Sequence, residues 1–543
     1  MRLKKVRFNF SWKKLLTVFV LGLSVGIAQQ KNPNVELPDF VITGKDVAAV
    51  KGAQKIAPEF ISTISEQFFK PIYSPEELEV KDLSSPIKNE LNTLDSLNYR
   101  SGNLEFGAGI YNLPTASLSY LFPIDIFFVE ARLNGENHLS YDNIDYRYLI
   151  DGGLNILYTT NNNSEVLPGT QFKLHGNYGS ESFGLLYGNS SFRRTLNRGN
   201  FSFGISNQMS KYFNFDFNVN DNISTINSIN EKNYNENILG LNGYAKAFFS
   251  IFNIGIQTEY KKQFLTIDKP LTVIPSSGVN NFISIRPAGG MNISDALKVS
   301  GGISYSKSGD NTYTAPYAAL ALKINNFFSL FGEFSPHAEF ITSNDLLKSN
   351  RYYNPQNFYN FFYRKKNFLT AAVKYEYEKY YQINAGIKYF TSSDYPFLQD
   401  SIIGKFYLTT SEATSLTIFT DLLFHMGPYG VFYGNIELSD TKNDAGKFIP
   451  YNPRVKTSLQ YGYDFDFGLK TALSLDYAAG SYFNLSNTQK TDYVDLGLKF
   501  SYEIIPDFFI TTKLSNLLDD DIYYWNGYKE PPLDLVAGFR YMW

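Results

Sequence analysis

Between residues 211 and 220 the chain reads KYFNFDFNVN, so Phe213, Phe215, Phe217 and Val219 fall on one face of an extended strand and Asn214, Asp216, Asn218 and Asn220 on the other. The same two-residue period keeps returning from about Asn103 onward. In VKTSLQYGYDFDF, Val455, Leu459, Tyr461, Tyr463, Phe465 and Phe467 oppose Lys456, Ser458, Gln460, Gly462, Asp464 and Asp466. In YVDLGLKFSYEI, Val494, Leu496, Leu498, Phe500, Tyr502 and Ile504 oppose Asp495, Gly497, Lys499, Ser501 and Glu503. LEFGAGI, FSFGIS, IGIQTEY, VSGGISYS and YQINAGIKYF repeat the theme less cleanly. A chain with so many two-faced strands must hold two different environments on the two sides of one sheet.

Beyond residue 30 no apolar run is long enough for a membrane helix. If hydrocarbon is one of the two environments, strands must cross it. The pattern gives roughly 20 to 24 segments of about ten residues, and ten residues at ~3.3 Å each, tilted by ~40°, cover the ~25 Å apolar band of an outer membrane. Spanning strands have to close into a ring, because each unpaired backbone N–H or C=O in lipid costs several kcal/mol. The predicted fold is therefore all-β: a large closed antiparallel transmembrane β-barrel with its apolar face outward and its polar face lining a wet lumen. The composition agrees, since 41 Tyr and 47 Phe against 3 Trp suit aromatic girdles at strand ends. Short joints, as near Ser250, alternate with long polar stretches at 221–235, 263–280, 336–366, 440–452 and 517–532, which read as extracellular loops. A soluble propeller or tandem sandwich also alternates, but the strand lengths, the lack of a blade-length repeat and the asymmetry of the connections argue against it.

The N-terminus differs. Residues 1–28 carry Arg2, Lys4, Lys5, Arg7, Lys13 and Lys14, an apolar run from Leu15 to Ile27, and small residues before a cleavage point after Ala28, the pattern of a secretory signal peptide. With no Cys, the exported chain has neither disulfides nor an acyl-anchor site. Residues 29–98 form a short, partly helical segment, with Ile61, Ile64 and Phe68 at helical spacing and Pro86 opening a second stretch that aligns Ile87, Leu91 and Leu94. It reads as a reduced plug or linker, periplasmic or tucked into the lumen, ahead of a barrel over 99–543. The expected location is the outer membrane of a Gram-negative bacterium, in contact with its lipid and lipopolysaccharide. A net charge of -3 gives no basic footprint for nucleic acid.

Candidate ligand-binding residues come from SNRYYNPQNFYNFFYRKK, residues 349–366, where Arg351 and Arg364 interleave with Tyr352, Tyr353, Tyr359 and Tyr363. Such a set stacks a sugar ring or holds an anion; the plainer alternative is a girdle with basic residues facing lipopolysaccharide. The four histidines, His138, His175, His337 and His425, show no metal-ligand spacing, and no cofactor is expected. His175 lies on the polar face of FKLHGNYG, the only hint toward an outer-membrane hydrolase.

Two stretches carry a family resemblance. LVAGFRYMW, with Gly538, Phe539, Tyr541 and Trp543, resembles the C-terminal strand signature read by the barrel-assembly machinery. KLSNLLDDDIYYWNGYKEPPLDLVAGFRYMW resembles the last two strands of TonB-dependent receptors, in its Asn516 to Asp519 turn, Tyr523, Tyr524, Gly527, Tyr528 and Pro531. Pro450, Tyr451 and Pro453 are similar to the entry of a late strand in that family. LPDFVITGK is similar to the extended motif preceding the family's plug, which implies a contact with TonB or another periplasmic protein through Leu37, Pro38, Asp39, Phe40 and Val41. The resemblance implies solute uptake and no enzymatic activity. One departure stands out: the family's plug is roughly twice the length of the region here, and its Gly- and Arg-rich motifs are missing between Gly44 and Arg100. The N-terminal segment, long loops or a partner are then expected to occlude the lumen. The alternative is a plugless barrel serving as a pore or an assembly scaffold.

Overall fold

A computed structural model describes residues 101–543 except 125–126, 142–145, 161–167, 188–189, 208–211, 229–232, 268–276, 295, 356–359 and 378–379. The predicted signal peptide, the segment 29–98 and the contact motif Leu37 to Val41 lie outside the described residues. From Gly102–Gly109 to Asp534–Met542 each strand pairs antiparallel with the next, and the first pairs with the last, so the sheet closes. It is a 22-strand barrel: of the 23 strands in the sheet, Phe328–Phe334 and His337–Thr342 share one lane, both pairing with Asn360–Tyr377.

The strands are less uniform than the sequence suggests. Tyr381–Ile402 has 22 residues and Lys405–His425 has 21. About ten residues suffice to cross the lipid, so the surplus rises above it. Accordingly 221–228 and 263–267, expected as loop, are wall strand, and 360–366, also expected as loop, is strand paired with His337–Thr342. There the alternation no longer sorts apolar outward from polar inward: Ile226, Leu265 and Ile267 turn in toward a buried cluster.

Both ends of the barrel's strand series lie at one rim, and all but one of that rim's connections are short. Ser250 and Asp507 adopt φ of 56° and 68° there to reverse the chain within two residues. The opposite rim carries the long connections, including 335–359, 444–454 and 516–533. The rim of short connections is the periplasmic one; the connection 160–170 is its one long exception.

The outer surface is apolar as the pattern requires. On Phe213–Ser228, Phe217 and Val219 are 48% and 42% exposed, while Asn214 is 5% exposed on the inner side. Rings cluster near the periplasmic rim: Phe127 with Tyr158 and Tyr158 with Phe172, then Tyr377, Tyr381, Phe424 and Phe432 in series. This girdle and the closed apolar wall place the protein in the outer membrane.

The closing seam is tight. A Cβ on Gly538 would stand 2.2 Å from the carbonyl oxygen of Phe106, so only glycine lets the last strand approach the first. Trp543 N–H donates to the Gly102 carbonyl at 3.0 Å and Gly102 N–H donates back at 2.9 Å. Phe539, Tyr541 and Trp543 face outward, Phe539 stacking on Phe508 at 5.8 Å.

Candidate functional site: a cap built from loops and the cavity beneath it

After Phe334 the chain leaves the wall and turns into the lumen. His337–Thr342 and the start of Asn360–Tyr377 make an inner ribbon. Its Phe340 and Phe362 pack on Phe282, at 5.6 and 6.3 Å between ring centroids. Phe282 lies directly opposite Lys261 on the neighbouring strand, and Lys261 lines the lumen, so this contact is internal. The ribbon leads into a short helix, Ser343–Ser349, started by a capping box in which Thr342 Oγ1 accepts from Asp345 N–H while Asp345 accepts from Thr342 N–H. The wall holds the helix by three bonds: Glu236 accepts from the N–H groups of Ser343 and Asn344 at 3.2 and 2.7 Å, and Ser224 donates to Asn344 Oδ1 at 2.7 Å.

Beyond the helix, Arg351, Tyr352 and Tyr353 fix the loop to both sides of the barrel. Arg351 pairs with Glu181, a buried carboxylate that also meets Arg147 at 2.6 Å and Arg198 at 3.6 Å. Burial works against the Arg351 charge, but Glu181 holds its pKa above the ordinary guanidinium value. Tyr352 stacks on Tyr528, and burial pushes its phenol up to about 12 although Arg351 pulls the other way, so it packs as a neutral ring. Tyr353, fully buried, bridges to Phe406, and its carbonyl accepts from Arg194 at 2.8 Å.

A hairpin from the last long loop, Tyr523–Trp525 and Tyr528–Lys529, meets the same cluster. Trp525 lies 5.2 Å from Phe406 and 4.7 Å from Tyr451. Tyr528 Oη accepts from Leu186 N–H and donates to the Gly404 carbonyl, both at 2.8 Å. Gly404 turns the long hairpin with φ of 87°, and a Cβ there would stand 2.7 Å from Leu186. Leu186 lies next to the end of the fifth strand lane and Gly404 opens onto the sixteenth of 22, so the contact crosses the mouth. The outer end of the lumen is thus capped by the chain's own loops around one buried apolar cluster.

Beneath the cap lies a polar cavity of about 670 Å³. Phe183, Leu185, Ile226 and Leu265, toward the outer ends of their strands, belong to the cap cluster, whereas Asn177, Asn220 and Lys261, nearer mid-strand, line the cavity. Asn344, Asp345 and Lys348 of the helix border it. His175 lines it too and bonds Asn155. Among the described residues no group of His, Asp and Glu is placed to hold a metal ion.

The predicted ligand residues are divided by the cap. Arg351, Tyr352 and Tyr353 are drawn together inside it. Tyr363 is 2% exposed and packs edge-on against Tyr395 and Phe390. Arg364 borders a separate space of about 630 Å³ at the outer rim, bonded to Asp394 and Asn311, both at 3.1 Å. Tyr359 lies outside the described residues. Sequence reasoning missed the asparagines of the mid-barrel wall. Their signal was present in NVNDN, residues 218–222, but which strands flank it was not.

No family model matches the chain, and no curated protein matches it in sequence. Solved structures do match in fold. The FrpB iron transporter from Neisseria meningitidis aligns with a TM-score of 0.64 at 10% identity, over 83% of this chain and 82% of its own. The ferric-catecholate import receptor Fiu from E. coli aligns at 0.62 and 9%, over 82% of each chain. The copper transporter OprC aligns at 0.60 and 11%, over 81% of this chain and 80% of its own. The chain therefore has the closed 22-strand barrel fold of the TonB-dependent receptors, the family its last two strands resemble.

Proposed function

We propose that the protein is an uptake receptor that admits a solute through the barrel past a cap made of its own loops. The observation carrying this reading is an apolar cap over a polar cavity in the lumen, with a separate space bordered by Arg364 at the outer rim. Similar barrels named as iron, ferric-catecholate and copper importers or transporters support it. A buried cluster spanning the mouth does not open on encounter with a dilute solute alone, so an energised partner is part of the proposal: TonB or another periplasmic protein engaging Leu37 to Val41. Arg351, Tyr352 and Tyr353 hold the cap closed, Tyr363 packs in the same buried cluster, and Arg364 borders the outer approach; Tyr359 keeps its proposed part in ligand binding. Gly538, Phe539, Tyr541 and Trp543 serve as the signal for the barrel-assembly machinery. The proposal assigns no catalytic group.

The test compares the solutes that cells remove from a defined medium when they carry the intact protein or a variant lacking residues 37–41. A solute depleted only by the intact protein supports coupled uptake. Identical depletion profiles, with both proteins present at equal level in the outer membrane, refute it.

A further inference from the structure

The cavity beneath the cap is bordered by an ordered set of amides. Strand register puts Asn177 opposite Asn200 and Asn200 opposite Asn222, so three amides form a row across three adjacent strands. Asn222, Asn220 and Asn218 form a column along one strand, and Asn218 stands opposite Asn242 on the next. Strand geometry spaces such a lattice by about 4.8 Å across the sheet and about 6.8 Å along it. All six line the cavity. Asn200 donates to Asn222 at 2.7 Å and Asn222 to Asn220 at 3.5 Å, which orients the row and column relative to each other.

The charged neighbours are largely occupied with one another. Glu181 is held by Arg147, Arg198 and Arg351, Glu259 pairs with Lys261 at 2.8 Å, Asp151 accepts from Asn134, and Asp345 is taken up in the helix cap. What the wall offers is therefore a neutral surface on which every amide is both donor and acceptor. That chemistry matches hydroxyl groups, which also donate and accept. A peptide main chain is best read by an open strand edge, and the wall strands that carry these amides are paired on both sides. A cavity of about 670 Å³ falls within the range of small-molecule sites.

We infer that this amide lattice binds a neutral oligosaccharide in the lumen, beneath the cap. The inference rests on the uptake reading for the direction of travel and not for the binding itself.

The test uses the full mature chain in detergent, titrated with a panel of neutral oligosaccharides of two to six sugar units, with acidic oligosaccharides, a ferric tris-catecholate and short uncharged peptides as comparators. At least one neutral oligosaccharide binds, and Asn200→Ala with Asn222→Ala weakens it at least tenfold. Asn200→Asp alone, which keeps shape but replaces a donor by a charged acceptor, weakens it similarly. Asn227→Ala, near the outer end of the same strand and outside the cavity, leaves it unchanged; heat-modifiable migration confirms that each variant is folded. Binding of no neutral oligosaccharide overturns the inference, as does binding indifferent to the amides or a preference for the catecholate or peptides. Oligosaccharide binding without cellular depletion would remove the uptake reading and leave this one standing. Depletion of a charged solute, unaffected by the Asn variants, would do the reverse.

Discussion

The ring of Tyr352 lies 3.4 Å from that of Tyr528, centroid to centroid, and within 11° of parallel. This stack joins the loop that folds inward after Phe334 to the hairpin of the last loop, two parts of the chain that otherwise enter the lumen from different lanes. Removing the Tyr528 ring should loosen both. Tyr528→Ala is expected to lower the cap's stability by about 3–5 kcal/mol, seen as faster protease cleavage within 335–359 with barrel migration retained. Tyr528→Phe keeps the stack but leaves Leu186 N–H and the Gly404 carbonyl without their bond, costing about 1–3 kcal/mol. Equal protease sensitivity of both variants and the parent would remove the stack from the cap.

The inner ribbon should govern permeability. Phe328–Phe334 pairs with the later part of Asn360–Tyr377 independently of the ribbon, from Phe334 opposite Leu369 to Phe328 opposite Tyr375. Replacing residues 336–367 by a short turn should therefore spare the wall. In planar bilayers the intact protein is expected to give little current and the shortened one large, stable steps. Large steps from the intact protein would mean that the cap does not seal the lumen.

Glu181 is the electrostatic anchor of the cap. Its side chain is 4% exposed and faces three guanidinium groups, from Arg147, Arg198 and Arg351. Glu181→Gln leaves those cations, each a quarter to a third exposed, without their shared counter-charge, so the loss should be about 1.5–3 kcal/mol, read as a lower temperature for loss of heat-modifiable migration. Restoring the parent value by the double change Glu181→Gln with Arg351→Met would localise the effect to that pair. No shift in the single variant would show the carboxylate to be dispensable.

These anchors mark where the sequence stops being legible. The wall could be read because lipid outside and water inside impose a period of two on every crossing segment, as in Phe213 to Asn220. The cap could not, because above the membrane no such rule operates. Tyr352 and Tyr353 look in sequence like exposed loop aromatics, and only the meeting with Tyr528 and Phe406, far along the chain, buries them. The asparagine column of 218–222 was visible, but its neighbours Asn200 and Asn242 join it only through strand register, which a chain without turn-fixed pairing does not reveal. Gly404 is ordinary in sequence; its role depends on Leu186 standing across the mouth.

The seam offers a last prediction, one that separates two meanings of the same residue. Gly538 belongs to the stretch proposed as an assembly signal, yet it also sits where a Cβ would collide with the Phe106 carbonyl at 2.2 Å. Backbone cannot withdraw from such a contact without breaking ladder bonds between the first and last strands. Gly538→Val should accordingly slow closure wherever the barrel folds, including refolding into detergent micelles with no assembly machinery present. Outward-facing Tyr541 makes no seam-critical approach of this kind, so Tyr541→Ser should refold in micelles at close to the parent rate and be impaired mainly in cells. Gel-shift kinetics of both variants in both settings decide the matter: a Gly538→Val barrel that closes normally in micelles would show that the glycine is kept for recognition and not for the fit of the two strands.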